Sequence, residues 1–318
     1  MNRSAYLIFN PAAGQGDPEQ ELAQIRSILE PEIKLEICLT TEEIGAGELA
    51  TIAVKAGANT IIASGGDGTL SAAAAAVIGT DIGFGIISRG TANAFANALG
   101  IPDTIPGACE VILQGITRTI DAAECNGYPM VLLAGIGFEA ETVERADRDA
   151  KNRLGVMAYV LAGLQELGNL KSFDVEIETE DKIIKTTASA VTVANAAPST
   201  SVLAQGNAGI IVDDGLLDMT IVAPATKAAA LASAFHLFQT ASSGNAADRD
   251  DIGYLRAKQF KITTNPPQKI AIDGEVIEAA PVEIKCIPSA LNIFVPTIEE
   301  VEPLEKLEGL PNLVIEEK

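Results

Sequence analysis

Two rhythms alternate along the first hundred residues. Short continuous apolar runs of strand length give way to longer stretches whose apolar positions fall three or four apart, and then return. AYLIF (5–9) reads as a buried strand, and KLEICLT (34–40), TIIAS (60–64) and GFGIIS (83–88) read as the next ones. Between them the pattern predicts helices from Asp17, over 48–57, over 69–78 and over 91–99. Asp17 is a good N-cap, and Pro18 sits at the first helical position, where its missing N–H costs nothing. Gly57 and Gly100 are helix stops. This strand–helix order predicts a parallel α/β sheet.

From about residue 117 the rhythm shortens to a period of two. TRTIDAAEC and YPMVLLAG flank Asn126-Gly127, a hairpin signal. FDVEIET and IIKTTASAVTVAN (173–195) flank a second turn at Glu180-Asp181-Lys182. Further strands are predicted at 216–222, 254–263, 268–272, 281–287 and 291–295, interrupted by helices over about 140–168 and 226–241. The second part is therefore expected to be mostly antiparallel β. The expected division is 1–122, 123–296 and an acidic tail, 297–318, partly disordered or packed back on the first domain.

Composition narrows the function classes. The chain has 318 residues, 47% of them apolar, enough for one large domain or two ordinary ones. No run of about twenty apolar residues escapes charge, so no transmembrane helix is expected. The opening MNRSAYLIFNPAAG does not read as a signal peptide. Cys38, Cys109, Cys125 and Cys286 lie far apart with no CxxC pair, which fits reduced thiols in a cytoplasmic protein. The lone histidine, His236, falls within an apolar helical pattern and reads as a packing residue. A net charge of −21 argues against nucleic acid and against polybasic docking on anionic lipid. A phosphate-rich ligand would have to be held by backbone amides and a divalent cation.

Three loops carry the candidate chemistry. FNPAAGQG (9–16), SGGDGT (64–69) and SRGTAN (88–93) each follow a predicted strand and precede a predicted helix. Glycines there let the backbone turn its N–H groups toward an anion, and the helix N-terminus adds partial positive charge. Ligands of open α/β sheets bind outside the carboxyl ends of the strands, where all three loops would lie. Asp67 would repel a phosphate unless it manages a cation; alternatively it caps a helix. Arg89, beside the third loop, either helps hold a nucleotide phosphate or is a solvated strand-end arginine.

The order NPAAG, GGDGT, GTAN with LGIP, AGIGFEA, DDGLLD and IDGE resembles the diacylglycerol kinase catalytic-domain family, the bacterial YegS/BmrU-type lipid kinases related to sphingosine and ceramide kinases. The resemblance runs from about residue 5 to 295. It implies a three-layer α/β nucleotide domain of the NAD kinase/diacylglycerol kinase type and a C-terminal, mostly antiparallel β-sandwich that accepts the lipid. It implies ATP held by Asn10, Pro11, Ala12, Ala13, Gly14, Thr41, Gly66, Asp67, Gly68, Thr69, Leu70, Ser71 and Thr91. It further implies Glu275 as proton acceptor, Asp67 in the catalytic metal network, and a structural Mg2+ on Asp214 with the carbonyls of Ile211 and Leu216. The expected activity is transfer of the γ-phosphoryl group of ATP to a lipid alcohol such as diacylglycerol, phosphatidylglycerol, ceramide or a sphingoid base. Transient apolar contact with the membrane surface would accompany it, and a homodimer is compatible with it. An NAD kinase-like enzyme and a non-catalytic lipid- or nucleotide-binding homologue remain the alternatives. Ala94 stands where the family usually has Asp after the GTxN loop, and Asp67, Asp121 and Glu124 are the nearby carboxylates that remain.

Overall fold

The computed structural model describes residues 3–137, 172–198, 200–201, 204, 209–243, 249–277, 281–296 and 314–317. The helix expected over 140–168 and the last residues of AGIGFEA lie outside them. The chain divides into two compact units, Met1–Ala122 with Pro288–Glu300 and Ala123–Ile287 with Val301–Lys318.

The first unit is built on parallel strands β1 (Arg3–Phe9), β2 (Ile33–Leu39), β3 (Thr60–Gly65) and β4 (Gly83–Ser88), in the order β4-β3-β1-β2. Every residue of β3 and β4 after the first is buried, as expected for central parallel strands covered on both faces. β2, at the edge, stays half-exposed. Helices α1 (Pro18–Leu29), α2 (Ala46–Lys55), α3 (Asp67–Ala75), α4 (Ala94–Ala98) and α5 (Ile105–Gln114) connect and cover them, with α1 packed on α5 and α2 on α3. The Asp17 side chain does cap α1, accepting from the amides of Glu19 at 2.9 Å and Gln20 at 3.3 Å.

The sequence reading assigned no element to the segment of α5, which carries Pro106 and Gly107. Both stand in its first turn, where a helix tolerates them. Thr104 Oγ1 accepts from the Gly107 amide at 3.3 Å, and Ala108, Cys109, Val111 and Ile112 form the buried stripe.

The second unit pairs its strands antiparallel. One sheet has the order β17 (Val314–Glu317), β9 (Lys182–Ala188), β8 (Phe173–Glu178), β13 (Gln259–Asn265), β16 (Val282–Phe294). The other runs β12 (Ile252–Ala257), β11 (Leu217–Val222), β10 (Ala190–Ala194), β7 (Leu133–Gly137), β14 (Ile270–Ile272), β15 (Glu275–Ile277). The core between them draws Phe173, Ile177, Phe260 and Ile284 from the first sheet and Ile136, Val191, Met219 and Leu255 from the second, which makes a β-sandwich. β8 and β13 alternate buried and exposed residues, whereas β10 and β11 are buried throughout. The reason is α6 (Lys227–Ser243), whose Leu237 packs on Val222, Ile252 and Tyr254. His236 is half-buried on this helix, and its backbone carbonyl accepts from Thr240 Oγ1 at 2.9 Å.

Several boundaries differ from the sequence reading. YPMVLLAG is split into β6 (Tyr128–Met130) and β7, and IIKTTASAVTVAN is split at Ser189 into β9 and β10, each pair divided between two sheets. The segment 254–263 is two strands, β12 and β13, broken at Lys258. The segments 281–287 and 291–295 are one strand, β16, which carries Ser289 at φ 51 and pairs with β13 at one end and, in parallel, with β4 at the other. Residues from Pro288 thus group with the first unit, while the described end of the tail, β17, pairs with β9 of the second. β5 (Thr117–Cys125) pairs with β6 (Tyr128–Met130) across the Asn126-Gly127 turn and also with β16. Asp121, nearly fully buried on β5, accepts from the Ser289 amide at 2.7 Å and so holds the left-handed residue in β16. No helix among the described residues is long and apolar enough to cross a membrane.

Burial pushes the thiols of Cys109 and Cys125 up to about 12. Mass-detected maleimide labelling of the native protein at mildly alkaline pH is therefore expected to modify the part-exposed Cys38 and Cys286 and spare Cys109 and Cys125 until denaturant is added.

Candidate active site

Strand order decides where the first unit can bind a ligand. From β1 the chain crosses to β2 on one side; from β3 it crosses to β4 on the other. The topological switch point therefore lies between β1 and β3, at their carboxyl ends. The NPAAG loop leaves β1 and the GGDGT loop leaves β3, so the two flank that point. The GTAN loop leaves β4 on the same edge, and Thr41 follows β2 there, next to Thr40, whose amide donates to the Phe9 carbonyl at 3.0 Å.

These loops are bonded to one another rather than merely adjacent. Asn10 Nδ2 donates to Thr69 Oγ1 at 2.8 Å, tying the first loop to the second, and its Oδ1 accepts from the Ala12 amide at 3.0 Å. Asp67 Oδ1 accepts from the Phe95 amide at 3.1 Å, tying the second loop to the start of α4. Asp67 is thus a cap, but of the neighbouring helix, and its Oδ2 has no protein partner among the described residues. Gly90 lies so close to Gly66 that a Cβ on it would stand 2.9 Å from the Gly66 Cα, so only glycine fits this crossing.

Arg89 is the centre of the arrangement. It is 6% exposed and lies over the Phe9 ring at 4.1 Å from the centroid. Its Nη1 donates to the Asn10 carbonyl at 3.0 Å, its Nη2 to the Ala13 carbonyl at 2.8 Å, and its Nε to Glu21 Oε2 at 2.7 Å. Its own amide donates to the Gly65 carbonyl at 2.7 Å. The side chain is neither a solvated strand-end arginine nor turned toward a ligand. It clamps the NPAAG loop from behind, with Glu21 of α1 neutralising it. Sequence reading missed Glu21, since nothing local marks an exposed-looking glutamate in a helix's first turn as a partner for position 89.

The clamp leaves α3 open at its N-terminus. Asp17 and Thr104 cap α1 and α5 with their own side chains, but the N-cap of α3 is Gly66, which has none to offer. The amides of Asp67 and Gly68 head the helix and have no intrahelical acceptor. A Cβ built on Gly68 would meet nothing within 4 Å. An open, uncapped helix start beside a glycine loop is an anion site by dipole and by donor count. Gly14, at φ 89, and the exposed Pro11, Ala12 and Thr91 border the same edge. Thr41 Oγ1 accepts from the amides of Glu43 and Ile44, which fixes its turn. Leu70 and Ser71 are buried on α3, so their side chains support the loop from below. Ser64, Ser71 and Ser88 hydroxyls have no protein partner in this buried layer.

In the second unit, Ile272–Glu275 closes a two-residue turn with Asp273 at φ 47 and Gly274 at φ 90, the left-handed pair of a type I′ hairpin. Asp273 is more than a turn residue. Its carboxylate accepts from the amides of Val131, Leu132 and Leu133 at 2.9–3.0 Å, and its own amide donates to the Leu133 carbonyl at 2.9 Å. Glu275 stands exposed two residues on, at the start of β15.

The description "Diacylglycerol kinase catalytic domain" matches residues 4–125, and "YegS C-terminal NAD kinase beta sandwich-like domain" matches residues 133–295. The chain belongs to this lipid-kinase family. It is similar to "Uncharacterized protein sll0036" of Synechocystis sp., 49% identical over 92% of this chain and 70% of the relative. It is also similar to a diacylglycerol kinase of Bacillus subtilis, 29% identical over 95% of this chain and 99% of the relative. A crystal structure of a diacylglycerol kinase from Bacillus anthracis str. Sterne shares the fold, with TM-score 0.71 and 23% identity over 93% of this chain and 97% of that one.

Within this lipid-kinase fold, Ala94 begins α4 directly after the left-handed Asn93, and the Asp67 cap serves that helix's next amide, at Phe95. Asp121, named above as a remaining carboxylate, is engaged with Ser289 instead. The DDGLLD turn does not fit the implied magnesium. Asp214 Oδ1 accepts from the Leu216 amide at 3.1 Å and Oδ2 from Arg256 Nη2 at 2.5 Å, so a protein cation already occupies the carboxylate. Among the described residues no three His, Cys, Asp or Glu side chains gather as a metal site.

Arg89→Met is expected to destabilise the first unit by about 3 kcal/mol, because it strands Glu21 and two loop carbonyls. Arg89→Lys should recover only part of that, since one ammonium cannot reproduce the fork. Urea denaturation followed by circular dichroism reads both.

Proposed function

We propose that this lipid kinase transfers the γ-phosphoryl group of ATP to the hydroxyl of a lipid alcohol, of the diacylglycerol, phosphatidylglycerol, ceramide or sphingoid class. The observation that carries the reading is the uncapped start of α3 at the switch point, set among loops that bond to one another. ATP binds there, its phosphates toward the amides of Asp67 and Gly68, with Asn10–Gly14, Thr41, Gly66–Ser71 and Thr91 shaping the pocket. Mg2+ accompanies the nucleotide. It is suited by one carboxylate plus phosphate oxygens, and Asp67 Oδ2 is the carboxylate oxygen to hand. The ion neutralises phosphate charge in a chain of net −21.

Phosphoryl transfer asks for positioning, charge neutralisation and a route for the hydroxyl proton. The Arg89 clamp and the Asn10–Thr69 bond supply positioning. Glu275 takes the proton; its place on a tight hairpin anchored by Asp273 keeps a solvated carboxylate on a rigid support. With no basic face expected, the enzyme meets the cytoplasmic membrane surface through transient apolar contact.

Purified protein with Mg2+ and ATP is expected to phosphorylate at least one member of a panel of those lipid alcohols and to leave NAD unmodified. Glu275→Ala should lower kcat about 10²–10⁴-fold with little change in nucleotide affinity. Phosphorylation of NAD alone would replace the reading with an NAD kinase, and ATP binding with no turnover on any acceptor would replace it with a binding homologue. A second comparison separates the two roles of Asp67. Asp67→Asn keeps an acceptor for the Phe95 amide but loses the charge, so it should fold like the parent and lose Mg2+-dependent turnover.

A further inference from the structure

We propose that Arg256 is the built-in cation of the DDGLLD turn, filling with a guanidinium the role that a divalent metal would otherwise play, so that this turn is independent of metal. The inference rests on the sandwich geometry alone and stands whether or not the chain is a kinase.

The β-ladder sets it up. Asp218 on β11 and Arg256 on β12 are directly paired residues, so their side chains share one face. Arg256 Nε donates to Asp218 Oδ1 at 2.9 Å, and its Nη2 reaches back over the turn to Asp214 Oδ2 at 2.5 Å. One planar fork therefore joins the carboxylate before Gly215 to the carboxylate after it. The turn is closed from inside as well, by the Leu216 amide on Asp214 Oδ1. The Arg256 and Asp218 side chains are 11% and 5% exposed, so that arm of the bridge is largely screened from water, while Asp214 at 27% lies nearer the surface.

A magnesium ion on Asp214 would need a carboxylate oxygen within about 2.1 Å and further oxygen ligands in octahedral array. Oδ2 instead faces a guanidinium, which cannot lose its proton to make way. Metal and arginine would stand side by side with like charge over one carboxylate. The ladder register fixes the arginine there, so the ion is the partner excluded. One guanidinium spans two carboxylates in a turn that also holds Asp213, so it offsets part of the turn's negative charge and fixes where the rest sits.

The test is thermal unfolding of the full chain without nucleotide, in EDTA and in millimolar Mg2+ or Ca2+, for the parent, Arg256→Ala, Arg256→Lys, Asp214→Asn and Arg256→Ala/Asp214→Asn. The parent should show no Asp214-dependent shift between EDTA and metal. Arg256→Ala should lower Tm by about 5–10 °C, the scale for a broken buried pair in a unit of this size. The vacated Asp214 should then gain a saturable upward shift with metal that disappears in the double variant. Arg256→Lys, which keeps charge without the fork, should fall between and supplies the comparison if the alanine variant does not fold. A parent whose Tm rises saturably with Mg2+, and loses that rise in Asp214→Asn, would overturn the proposal. So would an Arg256→Ala protein as stable as the parent.

Discussion

A guanidinium buried over a phenyl ring is the fixed point of the first unit. Arg89 holds the first loop by two carbonyls and a helix by Glu21, while its backbone is bonded to the end of β3. Without it, the NPAAG segment would be a surface loop whose carbonyls faced a buried layer unpaired. With it, the loop's carbonyls point inward to the arginine, which leaves its outer side for a ligand. The rest of the edge follows from that orientation: Asn10 can reach Thr69, and Asp67 can reach α4. The site is therefore preorganised by bonds among its own loops, the condition under which dipoles and amides act on a phosphate without first having to reorganise.

The parallel sheet, the antiparallel sandwich and the three-loop edge were legible because each rests on local rules: buried runs, alternation, an Asn-Gly turn, glycine between strand and helix. What was not legible involves pairs distant in sequence. Glu21 with Arg89, Asp273 with the 131–133 amides, and Asp214 with Arg256 are 68, about 140 and 42 residues apart. Each partner alone has a bland local reading, as an exposed glutamate, a turn aspartate or a strand arginine. α5 is the opposite case. Its cap, stop and buried stripe were all present in the sequence, and Pro106-Gly107 stands in the first turn, where a helix accepts both, yet the segment was assigned no element.

Asp273 shows why a turn motif can be read two ways and both be right. Asp-Gly satisfies the left-handed pair a type I′ turn needs, which is reason enough for its presence. Yet the same carboxylate collects three amides at the entry to β7, more than a turn requires. A hairpin on an edge strand of three residues would otherwise be free to fray. Pinning its tip fixes Glu275, as the proton acceptor proposed above would require in order to meet a hydroxyl at a set distance.

The acidity of the chain gives these contacts a common logic. At a net charge of −21, long-range fields repel phosphate, so surface arginines would be the cheapest remedy. Arg89 and Arg256 are instead turned inward, the first against Glu21 and the second against Asp214 and Asp218. They shape loops and do not attract ligand. On the proposed function, attraction falls to what cannot be turned inward: the uncapped amides at the start of α3, and the cation that a nucleotide would bring with it. Such attraction acts within a turn of the helix and fades beyond it. A polyanion passing at a distance feels only the repulsion, whereas a phosphate small enough to enter the edge meets donors already in place. On the proposed function, selectivity for a compact phosphate ligand over nucleic acid would follow from where the positive charge has been put, not from how much of it the chain contains.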